Sequence, residues 1–280
     1  MEVFEFLVSV LRSGQLYLIF TISYILSVIV LALYVILMLP MFLVNHVYVY
    51  KTINWIGFMS LYHTAMTCNY AWKCVYMNDP PKDSKKKGRV YMFNHLSAAD
   101  PMVVSGLGLK VPLVYTYKDS VNKIPTVGPV MKFVGHHAIK FKYDKKNDRK
   151  VAVPESVKSL MQKCKVDVDN GFNIVVYPEG KRSRDGRLGE FKDGFFRFAI
   201  EHDVEILPCA ISNSEKLWPM KTKFLIGKGV AYVNTGKPIS PKGKTIEELK
   251  HVTRKAIYEL IKQCPTFNPE VESVPELEQN

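Results

Sequence analysis

The longest apolar run stands near the start of the chain. Residues 16–39 are 24 positions without a charge, bounded by Arg12 and Pro40. As a helix at 1.5 Å per residue the run measures ~36 Å, enough to cross a bilayer core of about 30 Å. A secretory signal has a shorter apolar region and a small-residue cleavage site, and neither is evident. The pattern predicts an uncleaved membrane anchor. Residues 51–77 read differently: Trp55, Tyr62, Tyr70, Trp72 and Tyr76 are interrupted by His63, Asn69 and Lys73. Aromatic and amphipathic together, they predict a helix lying in the membrane interface, with a re-entrant second span as the alternative.

Beyond a polar linker at 79–88 the pattern becomes an alternation of short β-rich runs and helical periods. Strands are expected at 90–93, 111–117, 137–141, 173–176 and 205–211. Helical spacing appears at 155–165 (Val157, Leu160, Met161, Cys164), at 195–201, and at 245–264 (Ile246, Leu249, Val252, Ile257, Leu260). Pro125 and Gly128-Pro129 break residues 121–134, which are expected to pack against a membrane or an acyl chain. Runs at 224–226 and 231–233, around Gly227 and Gly229, suggest a late hairpin. After Pro265 the tail is acidic and apolar-poor, and disorder is expected. The alternation predicts an α/β fold: a mixed, largely parallel sheet flanked by helices, with an N-terminal transmembrane or interfacial helical segment. Its divisions are 1–78, the linker, a domain over 89–265, and the tail at 266–280.

Two strand ends carry candidate chemistry. Asn94-His95-Leu96-Ser97-Ala98-Ala99-Asp100 follows the strand at 90–93, and Asp100-Pro101 opens the next element as N-cap and first helical position. An imidazole with a carboxylate five residues on suits a general base and its orienting partner. On this heptapeptide alone Asp100 is equally readable as a helix cap. Tyr177-Pro178-Glu179-Gly180-Lys181-Arg182-Ser183 follows the strand at 173–176. Arg182 offers a bidentate grip on phosphate, and Gly180 lets backbone amides approach an anion. Ser97 is assigned to the turn and not to a covalent intermediate. The adjacent His136 and His137 have no further ligand at useful spacing, so no metal is expected.

The pair of blocks, in this order and spacing, resembles the glycerolipid acyltransferases, whose best-known members act on 1-acylglycerol 3-phosphate. The resemblance runs from about Arg89 to Asn213. It implies transfer of an acyl group from acyl-CoA, as co-substrate, to the sn-2 hydroxyl of 1-acylglycerol 3-phosphate, giving phosphatidic acid. It also implies direct attack by the acceptor hydroxyl, without a covalent enzyme intermediate or a cofactor. His95 and Asp100 match the catalytic block. Glu179, Gly180 and Arg182 match the acceptor-phosphate block, with Lys181 where Thr is usual and Ser183 retained. Glu179 is expected to orient Arg182 or the acceptor hydroxyl. The middle block departs: Gly135 and Ile139 align, but Phe141 stands at the Arg position, flanked by Lys140 and Lys142 as candidate replacements. The fourth block is matched around Pro208, expected to pack along the acyl chain.

Charge and cysteine content narrow the partners. A formal charge of +12 asks for an anionic partner. Because the aromatic residues cluster beside the apolar segment and not among the lysines, that partner is an anionic membrane surface and not nucleic acid. Lys140, Lys142, Lys145, Lys146, Arg149 and Lys150 form a basic stretch, either a solvated loop or a rim for lipid headgroups and coenzyme A phosphates. Cys68, Cys74, Cys164, Cys209 and Cys264 are scattered and odd in number, which fits a reducing compartment. Lys and Arg exceed acidic residues after the apolar part, placing the catalytic domain in the cytosol, at the endoplasmic reticulum membrane if the cell is eukaryotic. Alternatives are a lysophospholipid-remodelling acyltransferase or transacylase, and a catalytically dead lipid-binding membrane scaffold.

Overall fold

The computed structural model describes residues 2–81, 87–124, 127–144, 149–222 and 224–278. Two helices come first, α1 (Glu2–Val44) and α2 (His46–Tyr62), then a π-helical turn and strand β1 (Trp72–Tyr76). Next come β2 (Val90–Phe93), α3 (Asp100–Val104), β3 (Leu113–Lys118), α4 (Gly128–Phe133) and β4 (His137–Ile139). A separate hairpin, β5 (Phe141–Asp144) with β6 (Arg149–Ala152), leads into α5 (Pro154–Asp169) and β7 (Asn173–Val176). The chain ends with α6 (Gly194–His202), β8 (Ile206–Ser212), β9 (Gly229–Thr235), α7 (Ile246–Lys262), α8 (Pro269–Glu272) and α9 (Pro275–Glu278).

Among the described residues the main sheet has the order β1-β9-β8-β2-β7-β3-β4. Every pairing is parallel except β8 with β9. The carboxyl ends of β2, β7, β3 and β4 therefore share one edge, with Met92 opposite Val176, and Thr116 opposite His137. Strand residues alternate between faces, as the pleat requires. Val90, Met92, Ile174 and Val176 join α5, α6 and α7 in one core. Tyr91, Phe93, Val175 and Leu207 join α2, α3 and part of α1 in the other.

α1 is the one described helix long and apolar enough to cross a membrane. At 43 residues it measures ~65 Å. It is not detached from the domain. Leu31 packs with Val49, Ile53 and Ile56 of α2. Leu16 is buried in the sheet's core, and the Tyr17 hydroxyl donates to the Phe224 carbonyl at 2.6 Å. Its outer face stays apolar and exposed from Val3 through Val44.

Several expectations are corrected. Residues 51–77 are not one interfacial helix: α2 ends at Tyr62, and β1 is an edge strand parallel to β9. Trp72 is a core side chain, because one strand face is buried where the other is wet. The 224–226 run forms no hairpin, since β9 pairs back on β8 and Tyr17 and Ser9 of α1 bind the carbonyls of Phe224 and Ile226. The tail is folded through residue 278: Val274 and Leu277 are buried, and Glu276 pairs with Arg254 at 3.0 Å. Pro208 is a buried residue of β8, packed beside Gly236. Linker residues 82–86 and positions 125, 145 and 146 lie outside the described residues. Val130 of α4 packs against the α1–α2 cluster, while Phe133 is 47% exposed.

Asn54 of α2 stitches the helix layer to the sheet, donating to Leu113 O at 2.8 Å and Val134 O at 3.1 Å. Beside it His136 is buried, its Nδ1 accepting from the Tyr115 N–H at 3.3 Å. Burial, with a smaller contribution from His137, lowers its pKa from 6.5 to about 3. Between those values the unfolded chain binds a proton that the folded chain refuses, so stability falls as pH drops below 6.5 toward 3. His136→Gln, which keeps an acceptor without the titration, should flatten that dependence. Denaturation in detergent at several pH values between 4 and 7 checks it; equal pH slopes in both proteins would rule out the assignment.

Candidate active site

The turn after β2 folds around one carboxylate. Asp100 is fully buried, and its Oδ2 accepts from the Leu96 N–H at 2.8 Å and the Ser97 N–H at 3.0 Å. The same oxygen meets His95 Nδ1 at 2.6 Å. On the other side the Ser214 hydroxyl donates to Oδ1. With Oδ2 acting as acceptor, Nδ1 carries the imidazole proton and Nε2 presents a lone pair. Asp100 is the first residue of α3, whose N-cap is Ala99. The expectation of an Asp100 cap is thereby corrected: its side chain reaches back to the preceding turn and does not cap its own helix. Ser97 serves the turn, donating to Trp218 O and accepting from Ala99 N–H.

The loop after β7 is locked onto this turn through Glu179. Its Oε1 accepts from the His95 N–H and its Oε2 from the Gly189 N–H, both at 2.9 Å. Burial pushes the Glu179 carboxyl up, and these two hydrogen bonds oppose the shift. Both oxygens are thus engaged by backbone, and no bond to Arg182 is made; the expected orientation of Arg182 by Glu179 is corrected. A Cβ on Gly189 would stand 2.8 Å from Oε2, so only glycine permits this approach. Gly180 has φ +68°, the left-handed region that glycine enters freely. A further bond, Ser183 N–H to His95 O at 2.7 Å, closes the loop over the turn.

Lys181 and Arg182 are exposed and have no hydrogen-bond or ion-pair partner among the described residues. They stand beside His95, whose side chain is 20% exposed. Lys140 and Lys142 are exposed farther along the same edge. Lys140 directly follows β4, which stands three strands from β2 in the sheet, ~14 Å at 4.7–4.9 Å per strand. Phe141 is capped by Lys118, whose Nζ stands 5.6 Å from the ring centre. The cation at that place comes from β3 and not from β5.

Two contacts have no local sequence signal. Ser214 is 114 positions from Asp100. It follows β8, the strand adjacent to β2, and proximity of loops at one carboxyl edge is the clue that could have found it. Tyr177 stacks on His95, with centroids 4.2 Å apart and planes 24° from parallel. Burial raises its phenol pKa well above the usual value, with smaller contributions from Tyr115 and Asp100.

A protein-family model described as Acyltransferase matches residues 75–212, which span both loops and Ser212 of β8. Over that stretch this chain matches the acyltransferase family. Curated relatives include a chloroplastic 1-acyl-sn-glycerol-3-phosphate acyltransferase of Brassica napus, 30% identical over 54% of this chain and 40% of its own length. A 1-acyl-sn-glycerol-3-phosphate acyltransferase of Borreliella burgdorferi is 30% identical over 52% of this chain and 54% of its own. The chain thus spans about half, or less, of the length of these relatives. The fold matches the crystal structure of a 1-acyl-sn-glycerophosphate acyltransferase of Thermotoga maritima, with TM-score 0.69 and 21% identity, covering 93% of this chain and 99% of that one.

Ser214→Ala removes one of the donors around a buried carboxylate, a bond worth about 1.5–3 kcal/mol to a charged group. The variant should unfold earlier and lose part of its turnover with little change in substrate KM. A variant with wild-type unfolding and kcat would reduce Ser214 to a bystander.

Proposed function

We propose that the chain transfers a fatty acyl group from acyl-CoA to the sn-2 hydroxyl of 1-acylglycerol 3-phosphate. The observation that carries this reading is the His95–Asp100 pair, with a partly exposed ring beside the unpartnered cations of Lys181 and Arg182. The activity of the Brassica napus and Borreliella burgdorferi relatives on 1-acyl-sn-glycerol 3-phosphate supports the acceptor. In the reaction His95 Nε2 takes the proton of the hydroxyl as its oxygen attacks the thioester carbonyl. The new C–O bond forms, the C–S bond breaks, and the leaving thiolate takes the proton back from the imidazolium. Asp100 holds the ring and balances its positive charge. Arg182, with Lys181, binds the acceptor phosphate, while Lys118 and Lys140 add positive potential farther along the edge. Glu179 acts by joining the two loops and touches no substrate.

The same reading makes the enzyme an integral membrane protein anchored by α1, with its catalytic edge on the cytosolic side. Phe141 at the usual Arg position leaves room for one second reading, an acceptor with a different headgroup. The test is a transfer assay with radiolabelled acyl-CoA or acyl carrier protein as donor, and 1-acylglycerol 3-phosphate or lysophosphatidylcholine as acceptor. Phosphatidic acid should be the favoured product. His95→Ala should lower kcat by about 10²–10⁴. Arg182→Ala should act chiefly on acceptor KM. Exclusive use of lysophosphatidylcholine would establish the second reading, and transfer by His95→Ala at wild-type rate would overturn the mechanism.

The anchor is tested separately. Apolar burial is insensitive to salt, so the full-length chain should stay in the membrane pellet at high salt and in alkaline carbonate. Release into the soluble fraction under either condition would overturn the spanning reading of α1.

A further inference from the structure

We propose that a second site, between α1 and the described residues Pro219, Thr222, Leu225, Ile226 and Gly227, binds the phosphate group of a membrane phospholipid, with Arg12 as its counter-charge. A cavity of ≈ 400 Å³ opens there, within the range of about 300–1,000 Å³ typical of small-molecule sites. Its walls include Phe4, Val8 and Leu225 as well as Arg12. Arg12 is the sole Lys or Arg before Lys51. Its Nε is buried without a hydrogen-bond partner.

The hydroxyl groups in the wall are already engaged. Ser9 donates to Ile226 O, and Thr222 donates to Pro219 O and Leu225 O. Glu5, exposed at the lining, makes no ion pair with Arg12 among the described residues. A cation held in an apolar wall needs an anion from outside, since an unsatisfied charged donor is costly.

The surroundings identify the kind of anion. Leu7 and Leu11 on α1 are 53% and 74% exposed, and Phe224 on the facing segment is 72% exposed. These surfaces continue the bare apolar face of α1, so acyl chains can lie against them while the phosphate enters the cavity. Arg12 also precedes the uncharged 16–39 run by one helical turn, the depth at which lipid phosphates stand if that run spans. The site is distinct from the His95 edge and from Arg182. It rests on the membrane reading given above.

The experiment uses the purified full-length chain in detergent, titrated with dioleoyl phosphatidylglycerol and followed by native mass spectrometry. Wild type should retain one lipid. Arg12→Gln should weaken it about tenfold or more, Arg12→Lys less, and His95→Ala and Arg182→Ala not at all. Leu225→Trp, which fills the cavity and leaves Arg12 in place, should also release it. Displacement by glycerol 3-phosphate would mean that the site reads a free phosphate; resistance to it identifies the lipid as the source. Equal retention by wild type, Arg12→Gln and Leu225→Trp overturns the proposal. Flotation with phosphatidylcholine vesicles separates this from failure of the membrane reading: a wild-type chain that does not float sinks both, whereas one that floats while lipid retention ignores Arg12 sinks only the second site.

Discussion

A carboxylate with no exposed surface must be surrounded by donors, and Asp100 obtains them from two distant parts of the chain. The turn after β2 supplies two N–H groups and the imidazole, and the segment after β8 supplies a hydroxyl. Losing such a bond costs more than making it gains, because the charge left behind stays buried. The arrangement of loops at the sheet's carboxyl edge follows from that asymmetry. His95 is oriented because its Nδ1 is one of the required donors. Nε2, on the opposite side of the ring, is left for chemistry.

Glu179 solves the same problem differently, with backbone alone. A side-chain partner could move away; an N–H of His95 and an N–H of Gly189 cannot move without unfolding their loops. The carboxylate therefore fixes the position of the His95 turn relative to the loop that carries Lys181 and Arg182. The geometry of the candidate site depends on two buried acids, one that orients the ring and one that joins the loops.

Much of this was legible in the chain. Val90–Phe93 and Asn173–Val176 are continuous apolar runs because central parallel strands are buried on both faces, and such runs stand out. The capping box Thr245–Glu248 marks the start of α7 as clearly. His95, Asp100 and Arg182 could be found because strand ends project their loops to one edge. What escaped depends on long-range pairing. Trp72–Tyr76 alternates too weakly to separate from an amphipathic helix, and only β9 makes it a strand. The acidic tail has few apolar residues, yet Val274 and Leu277 join the core beside α7, and Glu276 pairs with Arg254 of that helix. The two backbone partners of Glu179 carry no side-chain signature, so the chain alone points to Arg182 or an acceptor hydroxyl as what it orients.

The edge pairing of β1 with β9 sets a timetable for biogenesis. Trp72 lies opposite Gly229, 157 positions later. At about 5–20 residues per second of synthesis, β1 waits on the order of ten seconds or more for its partner strand to emerge. During that interval α1 and α2 have left the ribosome and hold apolar surface that the sheet does not yet cover. A lipid bilayer is the solvent that can shelter that surface in the meantime. The two helices would thus serve the nascent chain as a holding platform, with the sheet completed against helices already in place.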